Sequence, residues 1–173
     1  IFSADGLQWA PGEPQIVEAL KGLVSLEITV QGPRSDQHSG MVGGGIANPA
    51  LALAHILAGL RREDGLITVD GFYDDVVALD DATRAALDRV PYPDAQLLAE
   101  TGSPAPWGEP GYTTQERIFA RPTLDVNGLT SGWQGAGTKT VLPALASAKI
   151  TCRLVAAQSP EKIFEAIRAH VEK

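Results

Sequence analysis

Between residues 23 and 31 apolar and polar side chains alternate without a break. Val24, Leu26, Ile28 and Val30 face one way; Ser25, Glu27, Thr29 and Gln31 face the other. A period of two predicts a strand with one face buried, and Gly32 and Pro33 stop it. A second alternation predicts a long strand from Thr140 to Val155, bent or bulged near Pro143. It sets Ile150, Cys152 and Leu154 on one face and Lys149, Thr151 and Arg153 on the other. The spacing becomes helical twice. Asn48-Pro49 is a capping residue followed by proline at the first helical position. It opens a helix to about Leu60, and Leu51, Leu53, Ala54, Ile56, Leu57 and Leu60 cover so much of its circumference that deep burial is expected. Ser159-Pro160-Glu161 opens the second helix, with Ile163, Phe164, Ile167 and Val171 at helical spacing.

Between these segments the pattern is broken. Residues 61–70 read as a charged turn and a short extended piece from Leu66 to Val69. Asp80 and Asp81 are candidate caps for a helix through about Val90, ended by Pro91 and Pro93, and a short helix covers Asp94 to Thr101. Gly102 to Gly111 carries four glycine or serine residues and three prolines, which predicts an irregular excursion. Regular structure returns at about Arg117 to Asn127, and a turn-rich link runs from Gly128 to Lys139. The order strand, helix, excursion, strand, strand, helix is a split β-α-β arrangement. The expected fold is α+β, a ferredoxin-like two-layer sandwich. It has an antiparallel sheet, two helices on one face and a long insertion after the first helix. A strand beyond residue 173 would complete the sheet. Residues 1–21 read as a loop-rich lead-in and 22–173 as the folded unit; both ends look cut.

Composition narrows the partners. A length of 173 residues suits one domain of ordinary size, and an apolar fraction of 44% is normal for a globular chain. A formal charge of −7 argues against nucleic acid or an anionic membrane as partner. No apolar run approaches the roughly 20 residues of a membrane span, and the first residues lack the basic and apolar regions of a secretory signal. The single cysteine, Cys152, excludes an intramolecular disulfide and argues against a cysteine-based zinc site. A reducing, cytoplasmic setting is compatible with it.

The candidate chemistry centres on Gln31 to Gly45, where Asp36-Gln37-His38-Ser39-Gly40 lies in a glycine-dense loop. Of the three histidines, His38, His55 and His170, only His38 sits where a loop can present it; His55 reads as a core or helix-flank residue. No histidine pair or clustered acidic set has metal-ligand spacing, and the Asp74-Asp75 and Asp80-Asp81 pairs read as solvated loop and helix cap. Ser39 beside His38 is adjacency, not triad geometry. The run Met41 to Gly45 lacks the lysine of a phosphate loop. His38, Asn127, Thr140 and Arg153 remain as polar residues that burial patterning leaves unexplained. Arg153, mid-strand on the polar face, suits a carboxylate.

At these residues the chain resembles the zinc-dependent metallopeptidase family of carnosinases, cytosolic dipeptidases, glutamate carboxypeptidases and succinyl-diaminopimelate desuccinylases. The resemblance rests on Asp36 to Gly40, Gly43-Gly44, Gly71 to Asp75, Gly108 to Thr114, Arg121 to Gly128, Gly137 to Pro143 and Arg153 to Val155. It covers nearly the whole chain, and the Gly71 and Gly108 stretches resemble the dipeptidase branch most. It implies the lid, or dimerisation, domain of an enzyme whose catalytic domain holds two zinc ions. By that resemblance His38 would reach across a homodimer and stabilise the tetrahedral oxyanion in the other subunit's active site. Thr140 would help bind substrate there, Arg153 would grip the substrate carboxylate in its own subunit, and Asn127 would offer a hydrogen bond. Asp5 matches a zinc-ligating aspartate. The other ligands and the general-base glutamate would lie outside these 173 residues, so the fragment alone would be inactive and bind no zinc. The implied substrate is a peptide or N-acyl amino acid. Two other readings stand beside this one: a non-catalytic self-associating module, and a stand-alone small-molecule-binding domain.

Overall fold

The computed structural model describes residues 12, 17 and 19–173; Asp5 lies outside the described residues. The chain forms β1 (Gly22–Gln31), β2 (Gln37–His38), α1 (Ser39–Val42), α2 (Pro49–Gly59), α3 (Asp81–Asp88) and α4 (Asp94–Thr101). It continues through α5 (Thr114–Ala120), β3 (Thr123–Ser131), β4 (Val141–Leu142), β5 (Leu145–Leu154) and α6 (Pro160–Val171). The main sheet has the order β1-β5-β3, and β2 and β4 form a separate two-stranded ribbon. Both pairings in the main sheet are antiparallel.

The core sits on one face of that sheet. Strand β5 buries Ala146, Ala148, Ile150, Cys152 and Leu154, every second residue along its length. Ile28 of β1 and Leu124 of β3 flank them, and Leu53 and Leu60 from the α2 segment and Ile163 and Ile167 of α6 close over the top in one cluster. Both helices therefore cover the same face, which is the expected two-layer sandwich. Each large aliphatic side chain removed from water stabilises this layer by about 1.5–3 kcal/mol. The caps set where the helices begin. Asn48 Oδ1 accepts the Ala50 amide at 2.9 Å, Asp80 Oδ1 accepts that of Thr83 at 2.7 Å, and Ser159 Oγ accepts that of Lys162 at 3.4 Å.

Four local expectations change. The glycine-dense segment after Pro33 is not open loop: it holds β2 and the one-turn α1. The region from Arg117 divides into the end of α5 and the start of β3, because Thr113 and Glu116 form a reciprocal capping box that starts a helix. β3 then runs on to Ser131, past the expected end at Asn127, with a bulge between Val126 and Gly128. The long strand from Thr140 is two strands, since Pro143 has no amide to donate and the chain turns there. Leu51 is 62% exposed, because α2 lays only one side on the sheet.

The excursion between α2 and β3 is tied down by charge. Arg121, just before β3, binds Glu109 with two bonds, Nε to Oε2 at 2.8 Å and Nη2 to Oε1 at 2.6 Å. The two side chains are only 7% and 11% exposed. The guanidinium lies 4.2 Å from the Tyr112 ring centroid and 5.4 Å from that of Tyr73. Phe72, with no exposed surface, plugs the core beside Tyr73. Of the paired acids, Asp75 carries an ion pair to Lys162 and Asp80 is a helix cap.

Arg121→Ala leaves the Glu109 carboxylate buried without its partner, and urea unfolding is expected to show a loss of about 3–5 kcal/mol. The double change Arg121→Met with Glu109→Leu removes both charges and should recover most of that loss. A single variant within about 1 kcal/mol of the parent would show that the pair is not a staple.

Candidate functional site

Strand β1 ends where the site begins. The Gly32 amide donates to the Ala144 carbonyl at 2.8 Å, and Asp36 Oδ1 accepts the Ala144 amide at 2.8 Å. Ala144 is thus held from both of its polar groups. Beyond it Gln37 pairs with Leu142 and His38 with Val141, and the Ser39 amide donates to the Thr140 carbonyl at 3.0 Å. This ribbon places His38 and Thr140 side by side although 102 residues separate them.

The ring of His38 is held at both nitrogens. The Gly40 amide donates to Nδ1 at 3.1 Å, making His38 the cap of α1. A backbone N–H can only donate, so Nδ1 accepts and the neutral ring carries its proton on Nε2. Nε2 lies 3.1 Å from Thr140 Oγ1, and its N–H donates to that oxygen. Thr140 then keeps its own O–H to donate outward, polarised by the bond it accepts. The tight turn under the ring depends on glycine at two positions. A Cβ on Gly43 would stand 2.4 Å from the Ser39 carbonyl oxygen, and Gly44 has φ +80°. The pair opens on a groove of about 520 Å³ lined by Asp36, Gln37, His38, Thr138, Lys139, Thr140 and Val141. Lys139 Nζ stands 3.7 Å above the Trp133 ring, which holds a cation at the rim.

Arg153 lies elsewhere. In the main sheet it pairs with Leu23 on one side and Thr123 on the other, on the face that carries no helices. It is exposed, and its guanidinium has no hydrogen bond or ion pair among the described residues. An arginine left free on a rigid strand is ready for an anionic group. Eight residue steps along β5 separate it from Leu145 at the other end, a span of roughly 25 Å at the usual strand rise. Asn127 stands on the bulge of β3, exposed, between the two ends. The structure therefore unites His38 with Thr140 and separates them from Arg153 and Asn127.

Two residues that spacing did not single out also shape the site. Asp36, two residues before His38, locks the ribbon to Ala144; a carboxylate just ahead of a loop histidine was the available signal. Lys21 Nζ donates to the Arg117 carbonyl at 3.1 Å and to the Arg121 carbonyl at 2.5 Å, at the end of α5. Burial, with Arg153 and Arg121 nearby, holds the Lys21 ammonium down to about 8 despite Asp125. Nothing in the alternation around residue 21 pointed to it. Among the described residues no three His, Cys, Asp or Glu side chains come together to hold a metal ion. No helix among them is long and apolar enough to cross a membrane.

With this geometry in hand, comparison with known proteins is specific. Residues 19–173 match the model of the peptidase dimerisation domain. The chain is 31% identical to the Cys-Gly metallodipeptidase dug1 of Schizosaccharomyces pombe, over 93% of this chain and 34% of that protein. It superposes on the M20 family metallo-carboxypeptidase of Sulfolobus solfataricus with a TM-score of 0.82 and 32% identity, covering 94% of this chain and 42% of that one. The dipeptidase Dug1p of Saccharomyces cerevisiae gives a TM-score of 0.78 at 29% identity, over 88% of this chain and 32% of that one. The chain spans about a third of the length of the curated relatives it matches.

Nitrogen-15 NMR should show the neutral ring of His38 as the Nε2–H tautomer; an Nδ1–H signal would contradict the cap to Gly40. Lys21 is expected to titrate near 8. Its unfolded value is 10.5, so the unfolded chain holds this proton over a range where the folded chain has released it. This group therefore makes stability rise as pH climbs from about 8 to 10.5. Across that window the parent should gain stability relative to Lys21→Met in denaturant unfolding as pH rises; a constant difference would refute the assignment.

Proposed function

Because this chain belongs to the peptidase dimerisation domain family, we propose that it is the lid and dimerisation unit of a dinuclear zinc dipeptidase-type hydrolase. The observation that carries this reading is the separation along β5. His38 and Thr140 sit at one end and Arg153 at the other, roughly 25 Å away, too far for one substrate of dipeptide size to touch both in a single subunit. In a symmetric dimer the two ends serve different sites. Arg153 binds the carboxylate of a peptide or N-acyl amino acid held by its own subunit, while His38 and Thr140 reach the site of the second copy. There the Nε2–H of His38 turns from Thr140 to the developing oxyanion, and the Thr140 hydroxyl donates beside it. Asn127 adds a hydrogen bond to the substrate from the bulge.

The free edge of β3 supports the pairing of copies. It bonds only to β5 among the described residues, and Val126 and Leu129 on it are 47% and 60% exposed. At the opposite edge of the sheet, Leu26, Ile28, Phe164, Ile167 and Val171 line a groove between β1 and α6.

The described residues do not fit a zinc site. Both zinc ions and the general-base glutamate belong to the catalytic domain; residues 1–21 are an entry segment from the end of its first half, and Asp5 contributes a ligand. A cytoplasmic setting agrees with Cys152, a free and buried thiol that burial pushes up to about 12.

The test is subunit complementation in the full-length hydrolase. His38→Ala alone removes an oxyanion donor and should lower kcat by roughly 100- to 1000-fold; Arg153→Ala alone should raise KM. Heterodimers made from one subunit of each variant retain one intact site, so an equal mixture should recover about a quarter of wild-type activity in a two-fold dimer. No recovery, in heterodimers shown to have formed, would mean that His38 and Arg153 act within one subunit or not at all.

A further inference from the structure

We propose that the hollow beside the start of β3 is a binding site for a small carboxylic acid with a short hydrocarbon body, separate from both the His38 groove and Arg153. The hollow holds about 220 Å³ and is lined by Arg61, Tyr73, Trp107, Arg117 and Asp125 among others. Its walls come from the turn after α2, the excursion, α5 and the start of β3. Its identity does not depend on the lid function.

The anionic groups around it are already engaged. Both Glu109 oxygens are held by Arg121. Asp125 Oδ2 accepts from the Thr123 hydroxyl at 2.8 Å, and its Oδ1 stands 3.9 Å from Arg61 Nη2. The cations are not satisfied. Arg61 donates one terminal nitrogen to the Leu124 carbonyl, while its Nε is buried with no partner among the described residues. Arg117 donates Nε to the Glu109 carbonyl at 2.9 Å, and its terminal nitrogens have no partner among the described residues. A buried donor without an acceptor is unfavourable and needs an explanation; an acceptor entering the hollow supplies one.

The charge balance favours an anion. With Arg121 and Glu109 neutralising each other, Arg61 and Arg117 face Asp125 alone. The shape selects among anions. Trp107 is fixed by its indole N–H, which donates to the Glu63 carbonyl at 3.2 Å, and by Arg61, 4.7 Å from the ring centroid. The ring and Ile118 give the hollow apolar walls beside a guanidinium fork. A carboxylate matches that fork with two parallel bonds, and a few carbons attached to it meet the walls. Inorganic phosphate has no such part.

The experiment is a titration of this 173-residue chain with butyrate and, separately, inorganic phosphate, followed by amide and indole NMR. Butyrate should saturate, with shifts centred on the Trp107 indole, Gly65 and Gly108, and should bind more tightly than phosphate. Losing a charged hydrogen-bond donor in Arg117→Gln should weaken binding about tenfold or more. Ile118→Trp, which fills the hollow from an exposed position without changing charge, should abolish it, and answers the case in which Arg117→Gln fails to fold. Arg153→Gln should bind as the parent does. Phosphate binding as tightly as butyrate, shifts that never saturate, or loss in Arg153→Gln with Arg117→Gln unaffected would each overturn the proposal.

Discussion

The alternation of β5 is the constraint from which the rest of the domain follows. Ala146, Ala148, Ile150, Cys152 and Leu154 must face the helices, because only there can they leave water. Lys149 and Arg153 must then face the other way. A shift of one residue would expose the apolar set and bury the two cations. β1 and β3 bond to β5 from either side, so its register is specified twice. The exposure of the Arg153 guanidinium is a consequence of core packing as much as of chemistry.

The same strand decides how far apart the chemical groups lie. The β2–β4 ribbon is anchored at Ala144, one residue before β5 begins. His38 and Thr140 are thereby fixed to one end of a rod whose other end carries Arg153. Strands are stiff, so this spacing is not adjustable by small rearrangements, and a site that needs both ends has to be assembled from more than one chain. The histidine itself is preorganised: its ring is clamped between a backbone amide and a hydroxyl, which keeps its tautomer and direction set before any ligand arrives.

The long excursion is a different problem. α3 and α4 bury no residue fully, so packing alone does not hold this segment in place. The bidentate Arg121–Glu109 pair and the tyrosines around it act instead as a polar staple between the excursion and the start of β3. Arg84 adds to it with an ion pair to Glu116 at 2.7 Å. Among the described residues the staple also leaves other arginines crowded and incompletely bonded, which is how a hollow with unmatched donors comes to lie beside the start of β3.

Much of this was legible in the chain itself. The period-two runs named β1 and β5 and their inner faces, and the two proline-led caps named α2 and α6, because these signals are local and each residue reports its own environment. The candidate residues His38, Thr140 and Arg153 were visible as polar side chains that patterning could not explain. What stayed hidden depended on partners far along the chain. Nothing near Gly43 shows that a one-turn helix follows His38, and nothing near residue 21 shows that Lys21 caps α5. The split at Pro143 was read as a bend because the competing ribbon partner lies 100 residues earlier. The sequence by itself determined the sandwich, since burial of alternating apolar residues leaves few other solutions. Only the tertiary structure decided that His38 meets Thr140 and that both stand a strand's length from Arg153. Those distances are set by register and by which edges pair, and no local pattern encodes either.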